Sequence, residues 1–123
     1  MKRRILVIDD EEDIRELLQL SIEMSSSWEV FTAGSGQEGI EMALTYQPDA
    51  IILDVIMPDM DGPTTFQLLQ ENPETRNIPV ILLTAKVQTD EEAPYGDLGV
   101  KAVLSKLINP LHFAEQLAAV LGW

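Results

Sequence analysis

Apolar residues in this chain collect in short blocks. Ile5 to Ile8, Ala50 to Leu53, Val80 to Leu83 and Ala102 to Leu104 are runs of three or four residues with no polar position inside them. Uninterrupted runs of that length suit strands covered on both faces, as in a parallel sheet; a half-exposed strand would alternate. Trp28 to Ala33 does alternate, and reads as a weaker strand. Between these blocks the spacing becomes helical: Ile14, Leu17, Leu18 and Ile22; Ile40, Ala43 and Leu44; Phe66 and Leu69; Leu111, Ala114, Leu117 and Leu121. Ser35 with Glu38 three residues on marks the start of the second helix, and Asn109 with Pro110 reads as an N-cap followed by proline at the first helical position of the last. Pro73 and Pro79 bracket a polar turn. Strand and helix therefore alternate through five units without a repeat or a linker. The expectation is one domain over residues 1–123, an α/β doubly wound parallel sheet with right-handed crossovers.

Composition narrows the partners. With 46% hydrophobic residues the chain can build a real core, and its radius of gyration should be roughly 14 Å. Only 8 Lys and Arg oppose 21 Asp and Glu, for a formal charge of −13. Direct nucleic-acid binding is not expected, because a phosphate backbone is held by basic patches; cations and basic protein surfaces are better matched. The absence of Cys excludes a disulfide framework and thiol chemistry. The basic start, MKRR, leads into an apolar run too short for a signal peptide, and no run reaches membrane-spanning length. A soluble, cytoplasmic protein without membrane contact is expected.

The polar residues that interrupt the blocks all stand at carboxyl ends. Asp9 and Asp10 follow the first strand, Asp54 ends the third, Thr84 ends the fourth, and Ser105 and Lys106 end the fifth. In an open parallel sheet those ends face a common crevice. Three carboxylates brought together there repel, and one takes up a proton unless a cation sits among them. With oxygen donors and no His or Cys at these strand ends, the cation would be Mg²⁺ or Mn²⁺ and not zinc. Thr84 adds a hydroxyl donor and Lys106 a mobile ammonium, both suited to phosphoryl oxygens. The chemistry implied is phosphoryl transfer to a carboxylate. Taken singly, each feature has a plainer reading: an aspartate pair that opens a helix, a hydroxyl at a strand end, a lysine in solvent. Glu11, Glu12 and Asp13 read as a solvated acidic rim, and His112 as structural.

Asp9-Asp10 after the first strand, the stretch Asp54, Met57, Pro58, Met60, Asp61, Gly62, then Thr84-Ala85 and Lys106 together resemble the receiver domain of bacterial two-component response regulators over nearly the whole chain. The resemblance implies a flavodoxin-like sheet of order 2-1-3-4-5 with five helices. It implies that Asp54 accepts a phosphoryl group from a histidine kinase or a histidine phosphotransfer protein, that Asp10 binds Mg²⁺ directly with Asp9 helping through water, and that the Ile56 carbonyl completes the protein ligands. Thr84 and Lys106 would bind the phosphoryl oxygens. The output would be a downstream protein target or effector domain, with homodimerisation on phosphorylation as a further option.

Three positions depart from the family pattern. Leu107 stands where receivers usually carry proline, and since a cis bond before a non-proline residue costs roughly 2.5–4 kcal/mol, a trans bond is expected there, which puts the aim of Lys106 in question. Val103 occupies the aromatic switch position. Pro94 falls inside the expected fourth helix, which should be short or irregular. The reading that follows is a phosphorylation-driven binding switch and not a turnover enzyme. A phosphohydrolase of the haloacid dehalogenase type would need a second aspartate where Ile56 stands. The alternative that these departures suggest is a receiver-like interaction module independent of phosphorylation.

Overall fold

The four apolar blocks and the alternating segment form five strands of one parallel sheet in the computed structural model, which describes residues 2–85 and 99–123. The strands are β1 (Arg4–Ile8), β2 (Glu29–Ala33), β3 (Ala50–Asp54), β4 (Val80–Thr84) and β5 (Ala102–Ser105), in the spatial order β2-β1-β3-β4-β5. This is the expected flavodoxin-like order. Four helices lie among the described residues: α1 (Glu12–Ser25), α2 (Gly36–Tyr46), α3 (Gly62–Glu71) and a C-terminal helix (Phe113–Leu121). The helix expected around Pro94 lies outside the described residues.

The uninterrupted runs are explained by burial on both faces. Along β1, Ile5 and Val7 pack with Leu18 and Ile22 of α1 and with Phe113 and Leu117 of the C-terminal helix. Leu6 and Ile8 point the other way, towards Ala43 of α2 and Phe66 and Leu69 of α3. Every residue of β3 and β4 is buried, so neither strand has a polar face to show as alternation. Edge strand β2 does alternate, and its half-buried Phe31 stacks on Tyr46 at 4.8 Å.

Helix starts follow local chemistry, with one correction. The Ser35 hydroxyl accepts from the Glu38 N–H at 3.1 Å, and Asp61 caps α3 by accepting from the Thr64 N–H at 2.9 Å, with Pro63 in the first turn. The cap expected at Asn109 belongs instead to a turn: Asn109 Oδ1 accepts from the Leu111 N–H and its carbonyl from the His112 N–H, both at 3.0 Å. The C-terminal helix begins one turn later, with exposed His112 at its N-cap. An Asx turn and an N-cap use the same side-chain oxygen, so the residue pair alone does not separate them.

The loop from β3 to α3 folds back tightly, with Asp59 in the left-handed region at φ 68°, and Gly62 donates its N–H to the Val55 carbonyl at 2.8 Å. A Cβ on Gly62 would lie against the Asp54 carbonyl and 2.8 Å from Val55 Cα, both main-chain atoms next to the third strand's terminal aspartate. Gly62→Ala should therefore destabilise the protein by roughly 2–3 kcal/mol, since the backbone must shift. Gly34→Ala should stay within about 0.5 kcal/mol of the parent, because its methyl meets only the ends of side chains, Arg15 Nη1 at 3.3 Å and Glu38 Oε1 at 3.6 Å, and no main-chain atom. Urea denaturation of the two variants checks this, and equal midpoints would contradict it.

Candidate functional site

Adjacent strands β1 and β3 deliver two buried carboxylates to the same end of the sheet. Asp9 follows Ile8 directly, and its N–H continues the β1–β2 ladder by donating to the Ala33 carbonyl at 3.1 Å. Asp54 is the last residue of β3. Both are nearly sealed from solvent, at 1% and 3% exposure. From β5, Lys106 reaches across β4 to meet them, its N–H fixed at 2.8 Å on the Thr84 carbonyl. Its Nζ donates to Asp54 Oδ2 at 3.1 Å and to Glu11 Oε1 at 3.1 Å, and lies 3.3 Å from Asp9 Oδ2.

Among the described residues one ammonium thus serves three carboxylates, leaving two negative charges without a described counter-charge (three minus one). Asp9 Oδ2 has an ion-pair contact but no hydrogen bond, although its Oδ1 accepts from the Glu11 N–H at 2.9 Å. Burial is the first cause, and the neighbouring Asp9 charge the second, of an Asp54 pKa pushed up to about 6 against the help of Lys106. Asp9 is also raised, again by burial. Burial pulls the Lys106 ammonium down, but hydrogen bonds with Glu11 and Asp54 and the charges of Asp9 and Asp54 outweigh it and hold the group above its ordinary value. Oxygen atoms of Asp9, Glu11 and Asp54 all lie within 4.8 Å of one another. An orphaned buried oxygen, raised carboxylates and an all-oxygen donor set fit a hard divalent cation.

The predicted residues fall into place unevenly. Asp9, Asp54 and Lys106 converge. Asp10 lines the same open cavity of about 300 Å³ but is exposed and stands outside the three-carboxylate cluster. Thr84 is buried at the end of β4, paired in register with Ser105. Ile56 lines the cavity with a side chain 73% exposed, and its N–H makes a long contact of 3.4 Å with Asp54 Oδ1. The Lys106–Leu107 bond is trans, as expected, and Lys106 reaches Asp54 nonetheless. Glu11, read from the sequence as part of a solvated rim, is exposed as expected and also pairs with Lys106. Its place directly after the aspartate pair, at the N-cap of α1, was the available signal.

The family model for the response regulator receiver domain matches residues 5–118. The chain belongs to this family. It is a receiver domain of two-component systems, similar over 121 residues, at 35% identity, to the alkaline phosphatase synthesis transcriptional regulatory protein PhoP of Bacillus subtilis, covering 98% of this chain and 49% of that protein. It is 38% identical to the DNA-binding dual master transcriptional regulator RpaA of Synechocystis, over 95% of this chain and 47% of that one. The chain thus spans about half the length of these curated relatives. Among solved structures, the chemotaxis protein CheY4 of Vibrio cholerae superposes with a TM-score of 0.87 at 26% identity, covering 98% of this chain and 99% of that chain. The N-terminal domain of a response regulator receiver protein from Methanoculleus marisnigri gives 0.78 at 33%, covering 98% and 97%. Receiver domains are signalling domains. No helix among the described residues is long and apolar enough to cross a membrane.

The receiver's stability should carry the mark of the crowded carboxylates. Because the Asp54 value in the folded state exceeds the ordinary 3.8, the unfolded chain releases that proton first as pH rises. Ionisation thus works against folding from about pH 4, and fully above about pH 6. In EDTA, Asp54→Asn should be more stable than the parent at pH 8 by roughly 2–3 kcal/mol, with the gap closing as pH falls to 4. Urea denaturation across this range tests it; a variant less stable than the parent at pH 8 would refute the assignment.

Proposed function

We propose that residues 1–123 form one receiver domain that accepts a phosphoryl group on Asp54 with Mg²⁺ and thereby switches partner binding. The observation that carries this reading is the meeting of Asp54, Asp9 and Glu11 at one end of the sheet, all within hydrogen-bond or ion-pair distance of the Lys106 ammonium. Asp54 Oδ attacks the phosphorus of a phosphohistidine on a histidine kinase or phosphotransfer protein, so that an O–P bond forms as the P–N bond breaks and the proton-accepting imidazole leaves. Asp9, Asp10, Asp54 and the Ile56 carbonyl are the proposed protein ligands of Mg²⁺. When bound there, Mg²⁺ would supply positive charge to offset that of the carboxylates and of the incoming phosphoryl oxygens. The donor set gives Mn²⁺ no separate support.

Lys106 is already positioned to follow the charge. Its ammonium is shared among three acceptors in the resting protein, and a phosphoryl group on Asp54 offers it stronger acceptor oxygens in the same place. The Thr84 hydroxyl, at the neighbouring strand end, is the second donor. Receiver domains pair with histidine kinases and effector domains, and the output here is a downstream protein target or effector domain, with homodimerisation on phosphorylation as another form. A formal charge of −13 gives this chain no basis for holding nucleic acid itself; DNA binding is a property named for the relative RpaA. A signalling role without turnover, in the cytoplasm, agrees with these features.

Incubation with acetyl phosphate and Mg²⁺ should give one phosphoryl adduct by intact mass, absent in EDTA and absent in Asp54→Asn. Folded protein that stays unmodified at saturating donor and metal would favour the phosphorylation-independent interaction module. The adduct should also be long-lived. Ile56 presents an apolar side chain at the mouth of the cavity and cannot orient an attacking water by hydrogen bonding. Ile56→Asn should accelerate loss of the adduct, followed by mass or by release of inorganic phosphate, and an unchanged or slower decay would count against this role.

A further inference from the structure

The turn that presents the acidic residues is tied down from behind by a side chain with no place in the proposed chemistry. Arg15, on the first turns of α1 and half-buried, donates from Nη1 to the main-chain carbonyl of Asp9 at 2.7 Å. Its guanidinium lies over Gly34, where a Cβ would meet Nη1 at 3.3 Å and Cζ at 3.6 Å. Gly34 is itself held, its N–H donating to Glu38 Oε1 at 2.7 Å. The Arg15 side chain therefore bridges the β1–α1 turn to the β2–α2 loop. No other hydrogen bond to the Asp9 carbonyl is found among the described residues. That carbonyl is one end of the peptide plane joining Asp9 to Asp10, so fixing its direction fixes how both carboxylates leave the backbone.

We infer that Arg15 is a positioning residue for the metal-binding turn, and that it strengthens cation binding although it carries a positive charge itself. The inference rests on the Mg²⁺ site proposed above. Two effects of Arg15 oppose each other. Its fixed charge near Asp9 and Asp10 disfavours a second cation, whereas its hydrogen bond holds the ligand-bearing turn in place, and partners that orient metal ligands commonly change affinity by 10–100-fold when removed. Geometry favours the second effect. The guanidinium donates to a main-chain oxygen, and among the described residues it makes no ion pair with Asp9, Glu11 or Asp54, whose carboxylates meet Lys106 instead. Half-exposed, its charge is also screened by solvent.

The sign of the change separates the possibilities. Mg²⁺ affinity, measured calorimetrically on the folded parent, Arg15→Met and Arg15→Lys, should fall roughly tenfold in Arg15→Met. It should recover to within about threefold of the parent in Arg15→Lys, whose ammonium can still donate to the Asp9 carbonyl. If Arg15→Met lowers the urea midpoint in EDTA, Arg15→Leu is read in its place, since it likewise offers no donor to the Asp9 carbonyl. Unchanged affinity in the variant lacking the guanidinium would overturn the inference, and tighter binding would show that its charge, and not its hydrogen bond, is what the site feels. A parent protein that takes up no Mg²⁺ would overturn the metal site itself, an outcome distinct from either.

Discussion

Everything at the functional end of this receiver depends on holding more negative charge in one place than the one ammonium found there among the described residues can neutralise. Asp9 and Asp54 are driven together by the pairing of β1 with β3, and Glu11 joins them from the start of α1. A single ammonium, that of Lys106, is shared among the three. Such a cluster is costly because burial penalises each ionised carboxylate, and it persists because the strands that carry it are fixed by apolar packing on both faces. Ile5, Ile8, Ile51, Leu53, Ile81 and Leu82 are all fully buried. The core thus supplies the stability, and the strand ends hold an excess of negative charge that a bound cation would relieve.

The connection after β5 shows how the arrangement survives an unusual residue. Leu107 replaces the usual proline with a trans bond and a side chain 79% exposed. The local turn is secured instead by Ser105, whose hydroxyl accepts from the Leu107 N–H at 3.0 Å. The Lys106 N–H remains on the Thr84 carbonyl. Two local hydrogen bonds therefore aim Lys106 without the proline, so that this departure from the family pattern does not by itself argue for loss of phosphoryl chemistry.

The doubly covered parallel sheet and the convergence of Asp9, Asp54 and Lys106 were legible because each follows from a strong, local cue, an apolar run that must be covered twice and ends in a polar residue, whereas the strand order came from the resemblance to receiver domains. What was not legible depended on contacts remote in sequence or on competing uses of one side chain. Glu11 looks like any acidic residue at a helix start until Lys106, 95 residues away, is placed beside it. Asn109 offers the same oxygen to a turn as to a helix. Arg15, spaced as a surface residue of an amphipathic helix, gives no hint that it reaches back to Asp9 and across to Gly34. The relative exposure of Asp9 and Asp10 was likewise set by the fold: the first continues the ladder to β2, whereas the second faces the open cavity.

The crowding of carboxylates can be read directly from their protons. Titration of the Asp54 side-chain carboxyl by carbon NMR, with and without saturating Mg²⁺, should give a midpoint near 6 in the metal-free protein, where burial and Asp9 outweigh Lys106. With Mg²⁺ bound it should fall below the ordinary 3.8. A midpoint close to the ordinary value, unmoved by the metal, would contradict the idea that these residues form one electrostatically coupled, cation-dependent site.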